Sequence, residues 1–334
     1  MRLPYFLLVQ VVFVFGVTTI SERVFARVAD STSEIIMRFG GDVLLAHRYE
    51  EGVGSDINRA FNDFELFMSD DVSMVNLEVP VTDRGTRRTK PFTFRMKKKF
   101  LAALTSGGID IVNLANNHIF DFGKTGLFDS ITLLDSALID HVGAGRNHDE
   151  AHRAVIKNIK GVKIGFLGYY GGRESPAARG NFAGVALRHL SLIQRDIRKL
   201  KHDQNVDYIV VNFHWGTENA RVPTAAQRAF AHSVVDVGAD AIIGHHPHVL
   251  QGIEVYKDKV IAYSLGNLVF GGNGRHTYNT GVLEIRLSNR KPLYTFLPVR
   301  IDKWKAKAMS GDPARQMLAK VEELSRFFPK SIFN

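Results

Sequence analysis

From about residue 34 onward, apolar residues recur along the chain in two patterns, one typical of strands and one typical of helices. Short runs dominated by Val, Ile, Leu and Phe, such as IIMRF, VSMVNL and YIVVNF, have the length and composition of buried strands. They alternate with segments such as FLAALTSGG and TAAQRAFAHSVVDVG, in which apolar positions recur at helical spacing. Strand–helix alternation with strands that are apolar throughout predicts an α/β protein whose central strands are covered on both faces.

Helix boundaries are indicated by capping residues and glycines. Gly107 and Gly108 follow one helical pattern and Gly238 follows another, at positions where glycine commonly ends a helix. Thr125 is the predicted N-terminal cap of the helix in GKTGLFDSITLLDSALI, and Pro223–Thr224 open the helix that ends at Gly238. We expect one main domain over residues 34–289. The basic segment 290–334 is expected to be a mostly helical tail packed on that domain.

The N-terminal segment has the order of a secretion signal. Arg2 precedes the apolar run LPYFLLVQVVFVFGVTTI, and the charged residues Glu22 and Arg23 follow it. We therefore assign residues 1–29 to a signal peptide or a signal anchor in the inner membrane. The rest of the chain is expected to be extracytoplasmic, in the periplasm or at the cell surface.

The charge balance suggests an anionic partner. The chain has 43 Lys and Arg against 34 Asp and Glu, a net charge of +9, and basic residues cluster in DRGTRRTKPFTFRMKKK, residues 83–99. This stretch is either a solvated basic face or an electrostatic contact for an acidic polymer. No nucleic-acid signature accompanies it, so we expect no nucleic-acid partner. The chain has no cysteine, which excludes disulfides, thiol nucleophiles and cysteine-based zinc sites.

Side chains that can bind metal or transfer protons stand at the ends of predicted strands. In α/β sheets, ligand sites form beyond the carboxyl ends of the strands, and five of the 13 histidines occupy such positions. The residues at these ends are Asp42, Glu78, Asn116, Asn117, His118, His214, His245, His246 and His248.

Their chemistry indicates a divalent metal. Carboxylate oxygen, amide oxygen and neutral imidazole together suit manganese, zinc or iron. In GADAIIGHHPHV, His246 and His248 are two positions apart, so both face one site if the chain stays extended after the strand. His245 would then point to the other side.

At this point the sequence resembles the CapA family of poly-γ-glutamate capsule-biosynthesis proteins, whose fold is similar to that of calcineurin-like metallophosphoesterases. The stretches that carry the resemblance span about residues 37–272. They are FGGDVLL, VNLEVPVT, PFTFR, LANNHIFDFGKTGL, GAG, HWGTENARVPTAAQ, GADAIIGHHPHVLQGIE and IAYSLGNLVF. The resemblance implies a four-layer α/β sandwich in which two mixed sheets are flanked by helices.

The family pattern also implies roles for individual residues. Asp42 matches the first aspartate of the metallophosphoesterase motifs, but Leu44 stands where its histidine partner belongs, so one metal ion, or two with altered ligands, is expected. Glu78 stands at the bridging position, and His118 at a position that the family keeps off the metal. The implied metal ligands are Asp42, Glu78, Asn117, His214, His246 and His248.

Further residues are assigned around this centre. His118 is the predicted general acid, or an electrostatic group beside the metal. Arg95, Arg173, Glu218 and His245 are assigned to substrate binding, the two arginines because a guanidinium binds carboxylate or phosphate bidentately. Glu218 either orients a ligand or is a surface carboxylate.

Three functions follow as expectations. The first is an extracytoplasmic metal-dependent hydrolase or transferase that cleaves a phosphoester or amide bond. It would act in the synthesis, release or trimming of an anionic polymer or peptide such as poly-γ-glutamate. The second is a non-catalytic polyanion-binding accessory of a membrane polymer-synthesis and export complex. The third is an isomerase-like peptide-modifying enzyme, because one fold hosts many chemistries.

Overall fold

The computed structural model of the chain describes residues 34–289 and 291–334. The predicted signal segment at residues 1–29 lies outside this described part. Within the described ranges, no helix combines the length and the apolar character needed to cross a bilayer.

The described residues form strands and helices in alternation. The strands are β1 (Ile35–Leu44), β2 (Val72–Leu77), β3 (Ile111–Asn113), β4 (Asp140–Val142), β5 (Ala144–Gly145), β6 (Val155–Ile159), β7 (Val162–Tyr170), β8 (Gly184–Val185), β9 (Tyr208–His214), β10 (Ala241–His245), β11 (Ile253–Tyr256), β12 (Lys259–Ala262), β13 (Asn267–Phe270), β14 (Thr277–Ser288), β15 (Lys291–Asp302) and β16 (Lys305–Ala308). The α-helices are α1 (Arg48–Val53), α2 (Glu65–Met68), α3 (Leu101–Ser106), α4 (Gly123–Ser136), α5 (His148–Ala151), α6 (Leu190–Arg198), α7 (Ala225–Asp236) and α8 (Gly311–Ser325).

Two mixed sheets dominate the described chain. The first has eight strands, in the order β16-β15-β14-β1-β2-β3-β4 with β13 paired to β1, and the second has six, in the order β11-β12-β10-β9-β7-β6. β1 to β4 run parallel to one another, as do β7, β9, β10 and β12, whereas β14 pairs antiparallel to β1. The carboxyl ends of β1 and β2 and of β9 and β10 are therefore available to build one site.

The strand sequences are apolar throughout because both faces of each sheet are covered. Between the sheets, Phe39 and Met74 of the first pack in one buried cluster with Phe166 and Val210 of the second. Because side chains alternate along a strand, Val211 points the opposite way, into a cluster with helices α6 and α7. Helices α3 and α4 cover the outer face of the first sheet. This confirms the expected four-layer α/β sandwich.

Two sequence-based expectations about secondary structure are wrong. The segment after residue 290 is not mostly helical, because β15 pairs with β14 along its whole length and β16 adds a further strand. Only α8 fits the expected tail, so the C-terminal segment completes the first sheet. Thr125 does not cap α4, which begins at Gly123 with Phe122 in the capping position. At α7, by contrast, Thr224 forms a capping box with Gln227.

Candidate metal centre

The carboxyl ends of four strands meet at one point between the two sheets. Asp42 lies near the end of β1, Glu78 directly follows β2, and His214 and His245 are the last residues of β9 and β10. All four side chains are at most 1% exposed. Asp42, Glu78 and His214 thus lie together as predicted, whereas His245 was not expected to face this point.

The carboxylate of Asp42 is held in place by groups from two other segments. Its Oδ1 accepts a hydrogen bond from Asn76 Nδ2 at 2.8 Å, and its Oδ2 accepts one from the backbone N–H of His246 at 3.3 Å. The preceding residue, Gly41, lets β1 approach the segment around Gly266 closely, since an added Cβ at position 41 would lie 2.0 Å from the carbonyl oxygen of Gly266. A larger side chain at position 41 would therefore push β1 away from Gly266 and move Asp42, the next residue, with it.

A buried row of asparagines supports the site from within the sheets. Asn113 Nδ2 donates to Asn76 Oδ1 at 2.9 Å, and Asn76 Nδ2 donates to Asp42 Oδ1 at 2.8 Å and lies 3.1 Å from His214 Nδ1. Asn76 and Asn113 are paired across β2 and β3 and are fully buried. The amide of Asn76 thereby connects a carboxylate of the first sheet to an imidazole of the second.

Glu78 lies at the centre of the cluster. Its Oε1 is 3.5 Å from His214 Nε2, 3.8 Å from His248 Nε2 and 3.9 Å from His118 Nε2. Burial raises the pKa of the Glu78 carboxyl well above its usual range. A carboxylate in this position requires a compensating positive charge.

The raised pKa of His248 also indicates that this site favours a positive charge. Burial lowers the pKa of its imidazole, but Glu78 and Asp42 outweigh burial and raise the pKa to about 10. His248 Nδ1 is 3.3 Å from Asp42 Oδ2 and 2.8 Å from Asn267 Oδ1. The two buried carboxylates thus attract a cation, and a divalent ion is the chemically matched one for this donor set.

Among the described residues, three groups of side chains bring their donor atoms within 4.8 Å of one another. The first is Glu78, His214 and His246, and the second is Asp42, Glu78 and His248. The third is Glu218, His246 and His248. Glu78 belongs to the first two groups, so one carboxylate lies between two positions that could each hold a metal ion.

Unpartnered buried atoms show that these residues fit a metal. Both carboxylate oxygens of Glu78, Oδ1 of Asn117, Nε2 of His214 and Nδ1 of His246 are buried without a hydrogen-bond partner. Buried polar atoms are normally paired, because an unpaired one costs about 1–3 kcal/mol. Every one of these atoms is of a type that ligates manganese, zinc or iron.

The backbone after β10 differs from the extended chain predicted for the histidines. β10 ends at His245, and His246 and His248 have positive φ angles of 97° and 58°. Both rings reach the centre through a turn rather than through strand alternation. The expectation that His245 points away is wrong, since its Nδ1 lies 3.6 Å from Asp42 Oδ1. The side chain of His245 is 1% exposed. Its assigned role in substrate binding stays a prediction.

His118 lies beside the donor groups but belongs to none of those found among the described residues. Its Nδ1 is 2.7 Å from Asp121 Oδ2, a carboxylate that can only accept, so the Nδ1 hydrogen points to Asp121 and Nε2 faces Glu78. Burial lowers the pKa of His118, which favours the neutral ring. Lys90 Nζ in turn contacts Asp121 Oδ1 at 2.6 Å. Asp121 supplies this carboxylate from a position three residues after the histidine.

The residues assigned to substrate binding differ in how close they lie to the metal-donor groups. Glu218 is exposed and belongs to the donor group with His246 and His248. Arg173 is exposed, next to Glu174, whose Oε2 is 3.6 Å from Lys90 Nζ. Arg95 is exposed and its guanidinium lies 4.6 Å from the centroid of the Phe122 ring. The roles of these residues stay predictions.

Several residues of the site were not identified from the sequence. Asn76 and Asn113 each stand in a VNL tripeptide within an apolar strand, and this repeated polar interruption was a usable signal. Lys90 lies in an irregular basic stretch, where nothing distinguished it from its neighbours. Asp121 could be linked to His118 only once the turn between them was known.

Comparison with known proteins agrees with this architecture. The chain is 32% identical over 289 residues to "Capsule biosynthesis protein CapA" of Bacillus anthracis, covering 83% of this chain and 70% of that protein. It is 33% identical over 258 residues to "PGA biosynthesis protein CapA" of Bacillus subtilis, covering 75% and 67%. It is also 31% identical to a "probable polyglutamine synthesis accessory protein" of Mycobacterium tuberculosis, covering 77% and 73%.

Solved structures share the fold at low sequence identity. A hypothetical protein from Thermus thermophilus matches with a TM-score of 0.50 and 17% identity, over 80% of this chain and 98% of that one. A candidate 5′-nucleotidase from Staphylococcus aureus, in complex with α-ketoglutarate, matches with a TM-score of 0.50 and 13% identity, over 87% and 58%. The family model described as bacterial capsule synthesis protein PGA_cap matches residues 37–272. By its strand-end site and by this match over most of its length, the chain belongs to the PGA_cap family of bacterial capsule synthesis proteins, which includes the CapA proteins.

Proposed function

We propose that the chain is a metal-dependent hydrolase or transferase that acts on an anionic capsule polymer, such as poly-γ-glutamate, outside the cytoplasm. The observation that carries the proposal is the set of buried donor atoms without partners around Glu78, with a histidine–carboxylate pair directly beside it. A purely structural core rarely leaves several such atoms unpaired at one point.

The residues divide into those that would hold metal and those that would act on the substrate. Asp42, Glu78 and His248 would hold one ion, and Glu78, His214 and His246 a second, with Asn117 as an additional oxygen donor. When bound, manganese, zinc or iron lowers the pKa of a water molecule and polarises an acyl or phosphoryl oxygen.

His118 would carry the proton transfer. Asp121 fixes Nδ1, and Lys90 fixes Asp121, so the free nitrogen Nε2 is held toward the reacting centre. From there it would exchange a proton with the attacking or leaving oxygen or nitrogen of the substrate. The arrangement suits cleavage of either a phosphoester or an amide bond.

The polymer and the location rest on the family and on the sequence. Relatives named for capsule and PGA biosynthesis support an anionic polymer as the substrate. The net charge of +9 favours the same class of partner. The charged–apolar–charged order of the first residues supports export through the inner membrane.

A second candidate is a non-catalytic accessory of a membrane polymer-synthase complex. It is favoured by the relative that is named an accessory protein of polyglutamine synthesis. In that case the metal centre would grip carboxylates of the polymer without cleaving it. The two candidates differ in whether the metal-loaded chain turns over a substrate, and only the enzyme would need His118 for that turnover.

The test is an activity screen on phosphoesters and γ-glutamyl peptides with the metal-loaded chain. We expect turnover that falls about 10²- to 10⁴-fold in His118→Ala, the range for loss of a general acid or base. His202→Ala is the matched control, because His202 is exposed and belongs to none of the metal-donor groups in the described chain. Metal-replete protein without turnover on any substrate of either class would refute the enzyme and favour the accessory.

A further inference from the structure

A cavity of about 460 Å³ opens beside the metal centre. His248 lines it, together with Asn267, whose Oδ1 contacts the His248 ring at 2.8 Å. The cavity therefore leads directly to a residue of the centre. Its other walls come from the loop after β9, the loop before β14, strands β14 and β15, and α8.

The charged groups of this cavity are all positive. Four separate segments contribute one cation each, and the lining contains no carboxylate. The cations are Arg221, Arg275, Arg300 and Lys320. All four side chains are exposed, and none has an ion pair with a carboxylate of the described residues. A cleft of one charge sign concentrates the field and attracts ions of the opposite sign.

Another large cavity of the fold shows the opposite arrangement. It measures about 800 Å³ and is lined by charges of both signs. There Arg146 pairs with Glu150 at 2.6 Å and Arg195 with Asp196 at 2.8 Å. Its charges thus largely neutralise one another, which makes the unpaired cations beside His248 a distinct feature.

The basic stretch at residues 83–99 is also largely neutralised. Lys97 and Lys99 lie 2.7 and 3.4 Å from Glu50, and Lys90 pairs with Asp121. Arg84 pairs with Asp129. Five of the eight cations of this stretch, including Lys98 at 3.8 Å from Asp83, have ion pairs among the described residues, whereas none of the four cations of the cleft has one.

We propose that this cleft is the subsite that binds a polycarboxylate chain and guides it to the metal centre. The proposal rests on the proposed function, since it names where the polymer lies relative to the same centre. Guanidinium groups bind carboxylates bidentately, so three arginines and one lysine match a chain that carries one carboxylate per unit.

Details of the cleft favour carboxylates over nucleic acid. Arg300 Nη1 donates to Asn279 Oδ1 at 2.9 Å, across the β14–β15 pair, and both residues line the cavity. Apart from His248, Tyr278 is the one aromatic residue of the cavity lining, and its hydroxyl donates to the carbonyl of Leu268 at 2.8 Å. A lining without Trp or Phe, whose one Tyr is tethered and whose one His belongs to the metal centre, offers no run of rings on which successive bases could stack.

The experiment is fluorescence anisotropy of a labelled γ-glutamyl octamer with the full chain. The test variant is the double substitution Arg275→Gln and Arg300→Gln. The matched control is Lys97→Gln with Lys98→Gln, which removes the same charge from exposed residues outside the cleft. We expect about a tenfold loss of affinity in the test variant, equivalent to about 1.4 kcal/mol, and less than about twofold in the control. Affinity should also rise from the glutamate monomer to the octamer, because a longer chain engages more of the four cations.

The outcomes separate this inference from the proposed function. Equal losses in both variants would show a general charge effect and overturn the subsite, as would a larger loss in the control. Tighter binding of a single-stranded oligonucleotide than of the octamer would overturn the choice of ligand. Binding is measured on the metal-free chain, so turnover does not affect it, and the proposed function fails only if the metal-loaded wild-type chain cleaves no substrate in the activity screen.

Discussion

Replacing Glu78 by Gln tests the shared position of this carboxylate. The substitution keeps the shape of the side chain and removes its charge. Glu78 is fully buried, and its two oxygens have no hydrogen-bond partner in the described protein. A buried Gln in the same place is equally unpaired, so the metal-free variant should match the wild type within about 1 kcal/mol.

Added metal should raise the melting temperature of the wild type more than that of Glu78→Gln. An ion at 100 times its dissociation constant stabilises the wild type by about 2.7 kcal/mol. With an unfolding entropy of about 2.1 cal/mol/K per residue over about 300 residues, this corresponds to a rise of about 4 °C in the melting temperature. Because Glu78 belongs to two of the three donor groups, Glu78→Gln should lose most of this rise.

The assay is differential scanning calorimetry with chelator and then with Mn²⁺, Zn²⁺ or Fe²⁺. Glu174→Gln serves as the control, because Glu174 is an exposed carboxylate near the site that belongs to none of the donor groups in the described chain. It should keep the full rise. The reasoning is refuted if Glu78→Gln gains as much as the wild type, or if metal changes no melting temperature.

Three further predictions concern the proton donor, pH and location. Asp121→Asn should lower turnover about 10²- to 10⁴-fold while metal content stays unchanged, because it replaces an acceptor-only carboxylate by an amide that can also donate to Nδ1 and so no longer fixes the His118 tautomer; wild-type kinetics would contradict this. Burial raises the pKa of Asp70 to about 8, so the folded chain holds a proton that the unfolded chain releases, and stability falls as pH rises from about 4 to about 8. Asp70→Asn removes this fall, so its melting temperature should gain on the wild type from about pH 4 to about pH 9, and a constant difference would refute the assignment. An alkaline-phosphatase reporter fused after Asp30 should be active outside the cytoplasm; an inactive cytoplasmic fusion would disprove export.

The main parts of the site could be predicted because they follow from the sheet. Asp42, Glu78 and His214 stand at the ends of apolar strands, and parallel strands bring such ends together. The family pattern added the fold itself, which the comparisons confirm. Neither step required knowledge of the loops.

The remainder depends on contacts that leave no local pattern. The turn after β10 gives His246 a φ of 97°, and no periodicity of the sequence encodes that angle. Lys90 acquires its role only through Asp121, 31 positions further along the chain and on a different loop. The strand β15 contains Pro292 and Pro298, which disfavour strands in general, yet twelve paired positions with β14 outweigh them.

The central claim is that Glu78 is shared between two metal positions, and its most direct test is the metal content of the purified chain. After loading and desalting, inductively coupled plasma mass spectrometry should find two equivalents of manganese, zinc or iron in the wild type. His246→Ala should retain no more than one, since it leaves only Asp42, Glu78 and His248 as a complete group in the described chain. Wild-type protein that emerges without metal, or His246→Ala that keeps both equivalents, would contradict the account.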